Sequence, residues 1–203
     1  MADLTSQYPM DVSFTAVDFI VNTPTIVSET NSGKLRRVGQ GVSFYSWTVK
    51  YPPVTPRALG TIQGFIAQTQ GPLYSFEIVL PEISYSKTIN QSVAPTTSAN
   101  ISAGAVNVTV TGCTVTSEVL RAGDFFKFDN HSKVYQATVN CNSDSNGNAT
   151  LYFSGPTVSS VTAGANVTIT AVPFTAVIED GEQTTSIGSG GFGSLELSMR
   201  EVW

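Results

Sequence analysis

Alternating apolar and polar residues, the period of a β-strand with one buried face, recur along most of this chain. The alternation runs from Val12 to Val21, from Gly41 to Tyr51, from Tyr74 to Leu80, and again around Leu197. Pro52 and Pro53 end the second of these segments. The pattern therefore predicts a mainly β protein.

A hairpin is predicted over Thr25 to Gln40. Its tip, Asn31-Ser32-Gly33-Lys34, has the composition of a turn. Lys34, Arg36 and Arg37 form the densest basic group of the chain. Because an isolated two-stranded hairpin is marginal in water, we expect this one to need a surface to lie on.

One helix is predicted after Pro53. Thr55 is a good N-cap and Pro56 suits the first helical position. Gly71-Pro72 ends the element. Gly60 and Gly64 weaken the helix, and we expect close packing on a sheet to explain them. The apolar positions that share one helical face are Leu59, Ile62, Phe65 and Ile66.

A second β region follows a polar linker at Gln91–Ala103. Gly123-Asp124 begins a strand, Asn130-His131-Ser132 turns it, and Asn146-Gly147 supplies the two positive φ angles of a tight hairpin. Strands continue through Ile169. The predicted fold is a β-sandwich with one α-helix at residues 1–90 and 173–203, interrupted by an inserted small β-barrel at residues 91–172.

The composition favours a protein that is a permanent subunit of an assembly. Charged residues make up 12% of the chain, against about 25% in ordinary domains, and subunit interfaces are poor in charge. A secreted β protein is the alternative. The net charge of −5 argues against a nucleic-acid-binding surface.

The sequence shows few features typical of export, membrane insertion or disulfide formation. Met1-Ala2-Asp3-Leu4 does not resemble a signal peptide, and no apolar run approaches the ~20 residues of a membrane span. We therefore expect synthesis and assembly in a cytosol. Cys113 and Cys141 are predicted to be free, half-buried thiols.

Three motifs suggest chemistry and are better explained by structure. Gly188–Gly193 matches G-x-G-x-x-G, but a strand follows where a dinucleotide site needs a helix, so a flexible hairpin loop is expected. Asp144–Asn148 lacks the Gly and Glu positions of an EF-hand. His131, the sole histidine, is predicted to be a solvated turn residue. No catalytic, cofactor-binding or metal-binding residue is predicted.

The order of elements resembles phage distal-tail and baseplate-hub ring proteins. In the tube-forming domain of that family, an aromatic strand leads through a Pro-rich break into an amphipathic helix, a Gly-containing turn and another strand. Here those parts are Phe44–Val49, Pro52–Pro56, the helix through Gln68, Gly71 and Phe76–Leu80. The region from Leu120 through Phe153 resembles the small β-barrel module of such tail proteins. Ala2–Pro9 departs from the pattern, because it is loop-like.

The resemblance implies a structural subunit of a virion tail, assembled in the host cytoplasm. It implies a homo-oligomeric ring, hexameric, that joins the tail tube to the hub or baseplate and contacts the proteins of both. DNA would be only passing cargo in the channel, and no membrane partner or cofactor is expected. Lys34, Arg36, Arg37 and Trp203 are the candidate subunit-interface residues.

Two other classes stay open. A carbohydrate- or receptor-binding module of a virion adhesin would need an aromatic platform beside polar side chains, and Trp47 and Trp203 both lie outside the predicted barrel. An enzyme would need a catalytic constellation that the sequence does not display.

Overall fold

The computed structural model of the chain describes residues 8–9, 13–39, 41–88, 94–181, 183–188 and 191–203. The chain divides into two compact units. The first consists of Met1–Asn22, Phe44–Ile78 and Thr175–Val202, and the second of Thr23–Ser43, Val79–Phe174 and Trp203. Independent folding of residues 91–172 stays a prediction.

The described residues form sixteen strands, one α-helix and one short 3₁₀ helix at Gly71–Leu73. The helix, α1, spans Pro56–Thr69. The strands are β1 (Ala16–Asn22), β2 (Thr25–Glu29), β3 (Leu35–Gly39), β4 (Phe44–Lys50), β5 (Phe76–Ile78), β6 (Thr96–Thr97), β7 (Asn107–Thr111), β8 (Glu118–Leu120), β9 (Phe125–Phe128), β10 (Val134–Ala137), β11 (Cys141–Asn142), β12 (Ala149–Ser154), β13 (Val167–Thr168), β14 (Phe174–Ile178), β15 (Thr185–Ile187) and β16 (Gly193–Glu201). The prediction of a mainly β protein with one α-helix is confirmed.

The first unit is built on one sheet in the order β1-β4-β16-β14-β5, with β15 paired to β16. Strand β4 lies between β1 and β16, so it is hydrogen-bonded on both sides. The predicted apolar face of this segment is buried, at Tyr45, Trp47, Val49 and Tyr51. Strand β5 is shorter than predicted: it comprises only Phe76–Ile78 of the alternating segment Tyr74–Leu80.

Helix α1 begins as predicted. Thr55 is its N-cap, and the Thr55 side chain accepts a hydrogen bond from the Ala58 backbone N–H. The helix ends at Thr69, and its C-cap, Gln70, adopts a left-handed conformation. Gly71, the predicted stop, follows directly with a φ of 66°. The expectation for Gly60 and Gly64 is wrong: a Cβ atom built on either residue meets nothing within 4 Å. Packing does not explain these two glycines.

The second unit contains a nearly closed, barrel-like sheet in the order β13-β9-β10-β12-β7-β6. An antiparallel bridge between Thr96 and Asn166 brings the two ends of this order together. Strands β8 and β11 form a separate pair. Sixteen buried residues form the core inside the sheet, including Phe126, Phe128 and Tyr135. The small barrel that the sequence predicts is confirmed as a barrel-like sheet.

Two turn predictions in this barrel are wrong. Asn146 does not adopt a positive φ; only Gly147 does, at 76°. The turn is set by the Asp144 carboxylate, which accepts hydrogen bonds from the backbone N–H groups of Asn146 and Asn148 at 2.8 and 2.9 Å. His131 is not solvated, because it is only 5% exposed.

Buried hydrogen bonds explain the position of His131. Its Nδ1 atom lies 2.9 Å from the Tyr135 hydroxyl, and its Nε2 atom lies 2.7 Å from Ser159 Oγ. The imidazole also packs edge-on against Phe128. Burial lowers the pKa of His131 from its ordinary value of 6.5. A single histidine in a turn sequence does not indicate that aromatic side chains will pack around its imidazole and bury it.

The remaining local predictions have mixed outcomes. Cys113 and Cys141 are free, as predicted, but both are buried and not half-buried. Strands β15 and β16 pair in an antiparallel hairpin at the G-x-G-x-x-G segment. No helix in the described portion is long and apolar enough to span a membrane. Residues 1–7, 10–12, 40, 89–93, 182, 189 and 190, which fall in several predicted segments, lie outside the described residues.

Candidate subunit interface

The predicted hairpin is present as a two-stranded ribbon, β2 paired with β3. Three backbone N–H groups donate hydrogen bonds within its turn. The Thr30 N–H donates to the Lys34 carbonyl at 3.0 Å, the Gly33 N–H donates to the Thr30 carbonyl at 2.8 Å, and the Lys34 N–H donates to Thr30 Oγ1 at 3.2 Å. Gly33 adopts a φ of 77°, which a residue with a Cβ atom rarely does. The ribbon is therefore a defined structure.

Both faces of this ribbon are exposed. Ile26 pairs with Val38, and the next pair along the ribbon is Val27 with Arg37. Successive pairs in a ribbon point to opposite faces, so each face carries apolar side chains. Ile26, Val27, Leu35 and Val38 are between 56% and 63% exposed. A two-stranded ribbon with apolar residues on both faces has the character of a surface that a partner covers.

The predicted basic residues lie in this ribbon. Lys34 is in its turn, Arg36 lies opposite Ser28, and Arg37 lies opposite Val27. All three side chains are exposed. Among the described residues, neither Arg36 nor Arg37 forms an ion pair. The ribbon thus offers positive charge beside apolar side chains on a chain whose net charge is −5.

Trp203, the fourth predicted interface residue, is not part of the ribbon. Its ring is 44% exposed. The Lys133 ammonium lies 4.8 Å from the centre of that ring and donates a hydrogen bond to the Val134 carbonyl at 2.9 Å. Lys133 is buried, so Trp203 covers a cation that the sequence analysis did not single out. Burial of the exposed part of Trp203 by a neighbouring subunit stays a prediction.

The first unit offers a second surface that the sequence analysis missed. Strand β1 stands at one end of its sheet and pairs only with β4 in the described part of the chain. Ile20 and Val21 of this strand are both exposed. An edge strand with unpaired backbone groups and exposed apolar side chains can accept a further strand. The missed signal was that Ile20 and Val21 are consecutive, which puts an apolar side chain on each face.

Potential metal ligands do not cluster in the described residues. Within the described residues, no group of three His, Cys, Asp or Glu side chains is placed to hold a metal ion. The Asp144 carboxylate, considered above as part of a calcium loop, accepts hydrogen bonds from Asn146 and Asn148, and these lower its pKa.

The chain is similar to a known phage tail protein. The chain is 23% identical over 198 residues to the distal tail protein pb9 of Escherichia phage T5, a match that spans 96% of this chain and 94% of the relative. The resemblance to phage distal tail proteins is confirmed. No family model matches the chain. The likeness to a distal tail protein covers both units, so it includes the ribbon and the barrel alike.

Proposed function

We propose that this protein is a structural, non-enzymatic subunit of a bacteriophage tail, located in the virion at the distal end of the tail. The likeness to a distal tail protein along nearly the whole chain supports this location. The finer part of the proposal is that copies of the chain associate in a closed ring. The ring is hexameric and joins the tail tube to the hub or baseplate.

The observation that carries the ring is the β2–β3 ribbon. Four of its ten strand residues are apolar and more than half exposed, and they lie on both faces. A ribbon of this kind gains stability only when another surface buries it, because two strands alone bury little. The acidic net charge of each copy supplies the complement for Lys34, Arg36 and Arg37. A neighbouring copy is therefore the occupant that we propose for the ribbon.

Ring closure also explains the open edge of the first unit. In a closed ring, each exposed edge strand faces the next subunit, which removes the hazard of uncontrolled edge pairing. The other partners in this proposal are the tail tube protein on one side and hub or baseplate proteins on the other. DNA passes through the channel as cargo, and an acidic lumen disfavours phosphate binding. Assembly takes place in the host cytoplasm without a membrane partner.

The test uses the full chain. Light scattering coupled to size-exclusion chromatography gives the mass of the particle, and negative-stain microscopy gives its shape. We expect a mass six times that of the chain and annular particles with a central channel. A monomer at every concentration and salt level, together with a tail-tip location by gold-labelled antibody, would leave the tail role intact and contradict self-assembly of the ring.

A further inference from the structure

A polar groove lies on the outer surface of the barrel in the second unit. Its volume is about 720 Å³, within the range of small-molecule sites. Strands β7 and β12 form its floor, where Thr109 pairs with Thr150. Asn142 of β11 and the turn at Asp144 form its wall. All of these residues belong to the same compact unit, so the groove is complete within it.

An aromatic side chain stands in this groove. Tyr152 of β12 lines it and is 47% exposed. An exposed ring can pack against an apolar face, such as the C–H face of a sugar ring, while its hydroxyl stays available for hydrogen bonds. Trp47 and Trp203, the two residues considered above for such a platform, lie outside the predicted barrel. Tyr152 meets the requirement that they do not, because it lies on a barrel strand.

The polar side chains of the groove divide into two groups. The Asp144 carboxylate accepts hydrogen bonds from Asn146 and Asn148, including one from Asn148 Nδ2 at 3.2 Å, so it fixes the turn. In contrast, no protein hydrogen bond engages the Asn142 amide, the Thr150 hydroxyl or the Tyr152 hydroxyl in the described part of the chain. The amide and each of the two hydroxyls can donate and also accept hydrogen bonds, as sugar hydroxyls do.

A close backbone approach shapes the turn in the wall of the groove. Gly147 adopts a φ of 76°, and a Cβ atom there would lie 2.7 Å from the Cys113 carbonyl oxygen. The Cys113 N–H donates to the Gly147 carbonyl at 3.0 Å. A preformed groove loses little conformational entropy on binding, so weak individual contacts can add up.

Charge decides which ligand class fits. No Lys or Arg lines the groove among the described residues, and Asp144 is its one charged side chain. Phosphate-bearing ligands and nucleic acids depend on cations that the groove does not offer. We propose that this groove binds a neutral oligosaccharide, with Tyr152 as the stacking platform and Asn142 and Thr150 as hydrogen-bonding groups. This activity is separate from ring formation and does not depend on it.

The test begins with the full chain on an array of neutral and acidic oligosaccharides. Titration calorimetry then gives the dissociation constant for the strongest neutral ligand. The same titration is made with Tyr152→Ala, Asn142→Ala and the matched control Tyr85→Ala. Tyr85 is 48% exposed, close to the 47% of Tyr152, and does not line the groove. Thermal melting of each variant verifies that the fold persists.

We expect binding of at least one neutral oligosaccharide with little dependence on salt. Tyr152→Ala should weaken it by roughly tenfold or more. Asn142→Ala should weaken it less, and Tyr85→Ala should leave it unchanged. Binding of acidic glycans alone, no binding at millimolar ligand, or equal effects of the Tyr152 and Tyr85 variants would each overturn the proposal. None of these results bears on the oligomeric state.

Discussion

Val27 and Arg37 lie directly opposite each other on one face of the β2–β3 ribbon. The aliphatic stem of an arginine can cover an apolar neighbour, yet Val27 stays 57% exposed. The ribbon therefore does not bury its own apolar side chains. Its amino acids suit a covered position, which the described residues do not provide for Val27.

Reversal of charge in the ribbon should weaken ring formation. In the double variant Arg36→Glu and Arg37→Glu, two positive side chains that we place against acidic neighbours become repulsive. We expect a shift from rings to monomers, stronger at low salt because screening is weaker there. Light scattering at low and high salt measures the shift, and the melting temperature of the monomer should stay nearly unchanged.

A matched control separates local charge from net charge. Arg57 and Lys87 are exposed and lie outside the ribbon, so Arg57→Glu combined with Lys87→Glu gives the same change in net charge. This control should assemble like the natural chain. If both double variants lose the ring equally, or if neither does at any salt level, the ribbon is not the contact that closes the ring.

Two helix glycines should be replaceable with a gain in stability. Gly60 and Gly64 lie in α1 with open space around the Cβ position. Gly60→Ala and Gly64→Ala should each raise the free energy of unfolding by up to about 1 kcal/mol, because alanine has the higher helix propensity. Urea denaturation measures the change. A loss of stability in either variant would indicate that the glycine makes a close contact when the protein assembles.

Gly147 provides the opposite case. It combines a positive φ with a backbone oxygen 2.7 Å from the Cβ position. Gly147→Ala should lower the free energy of unfolding by more than about 1 kcal/mol. Urea denaturation of this variant gives the comparison, and an unchanged unfolding midpoint would contradict the turn geometry described here.

Stability should fall as the pH decreases from about 7 to about 5. Burial lowers the pKa of His131 in the folded state, so the unfolded chain takes up a proton near pH 6.5 while the folded chain does not. Proton uptake by the unfolded state favours unfolding. Since His131 is the only histidine, His131→Gln should flatten the dependence in this range. Urea denaturation at several pH values measures the free energy of unfolding of both proteins. An equally steep loss of stability in the variant would assign the effect to another group.

The barrel should fold alone, and it should be more stable with its preceding segment. The Val172 N–H donates to the Ser84 carbonyl at 2.9 Å, and Asp124 accepts hydrogen bonds from Ser86 Oγ and the Lys87 N–H. A polypeptide of residues 79–174 should therefore unfold at higher urea concentration than one of residues 92–172. Dispersed amide shifts in NMR spectra report folding. Random-coil shifts for both polypeptides would show that the barrel needs the rest of the chain.

The sequence was sufficient where the local pattern determines structure. Alternation in Phe44–Val49 predicts its buried face, and Thr55-Pro56 predicts the start of the helix. Long-range relationships were not predictable. The burial of His131 depends in part on Ser159, which is 28 residues away in the sequence and whose hydroxyl lies 2.7 Å from His131 Nε2.

The candidate surfaces also divide into features that the local sequence predicts and features that depend on distant residues. Lys34, Arg36 and Arg37 were predicted to share one hairpin because they are close in sequence. The groove was not predictable, since Thr109, Asn142 and Tyr152 come from three strands whose pairing a single sequence does not specify. The exposure of Ile26 and Leu35 likewise depends on the absence of a covering layer, which no local pattern encodes.

Cryo-electron microscopy of the intact phage tail would show the proposed ring itself. We expect six copies of this chain in one closed ring at the distal end of the tube, each with Ile26, Val27, Leu35 and Val38 buried against the neighbouring copy. A chain that occupies a fibre or another site outside the ring, or a ring in which these four side chains stay exposed to solvent, would contradict this proposal.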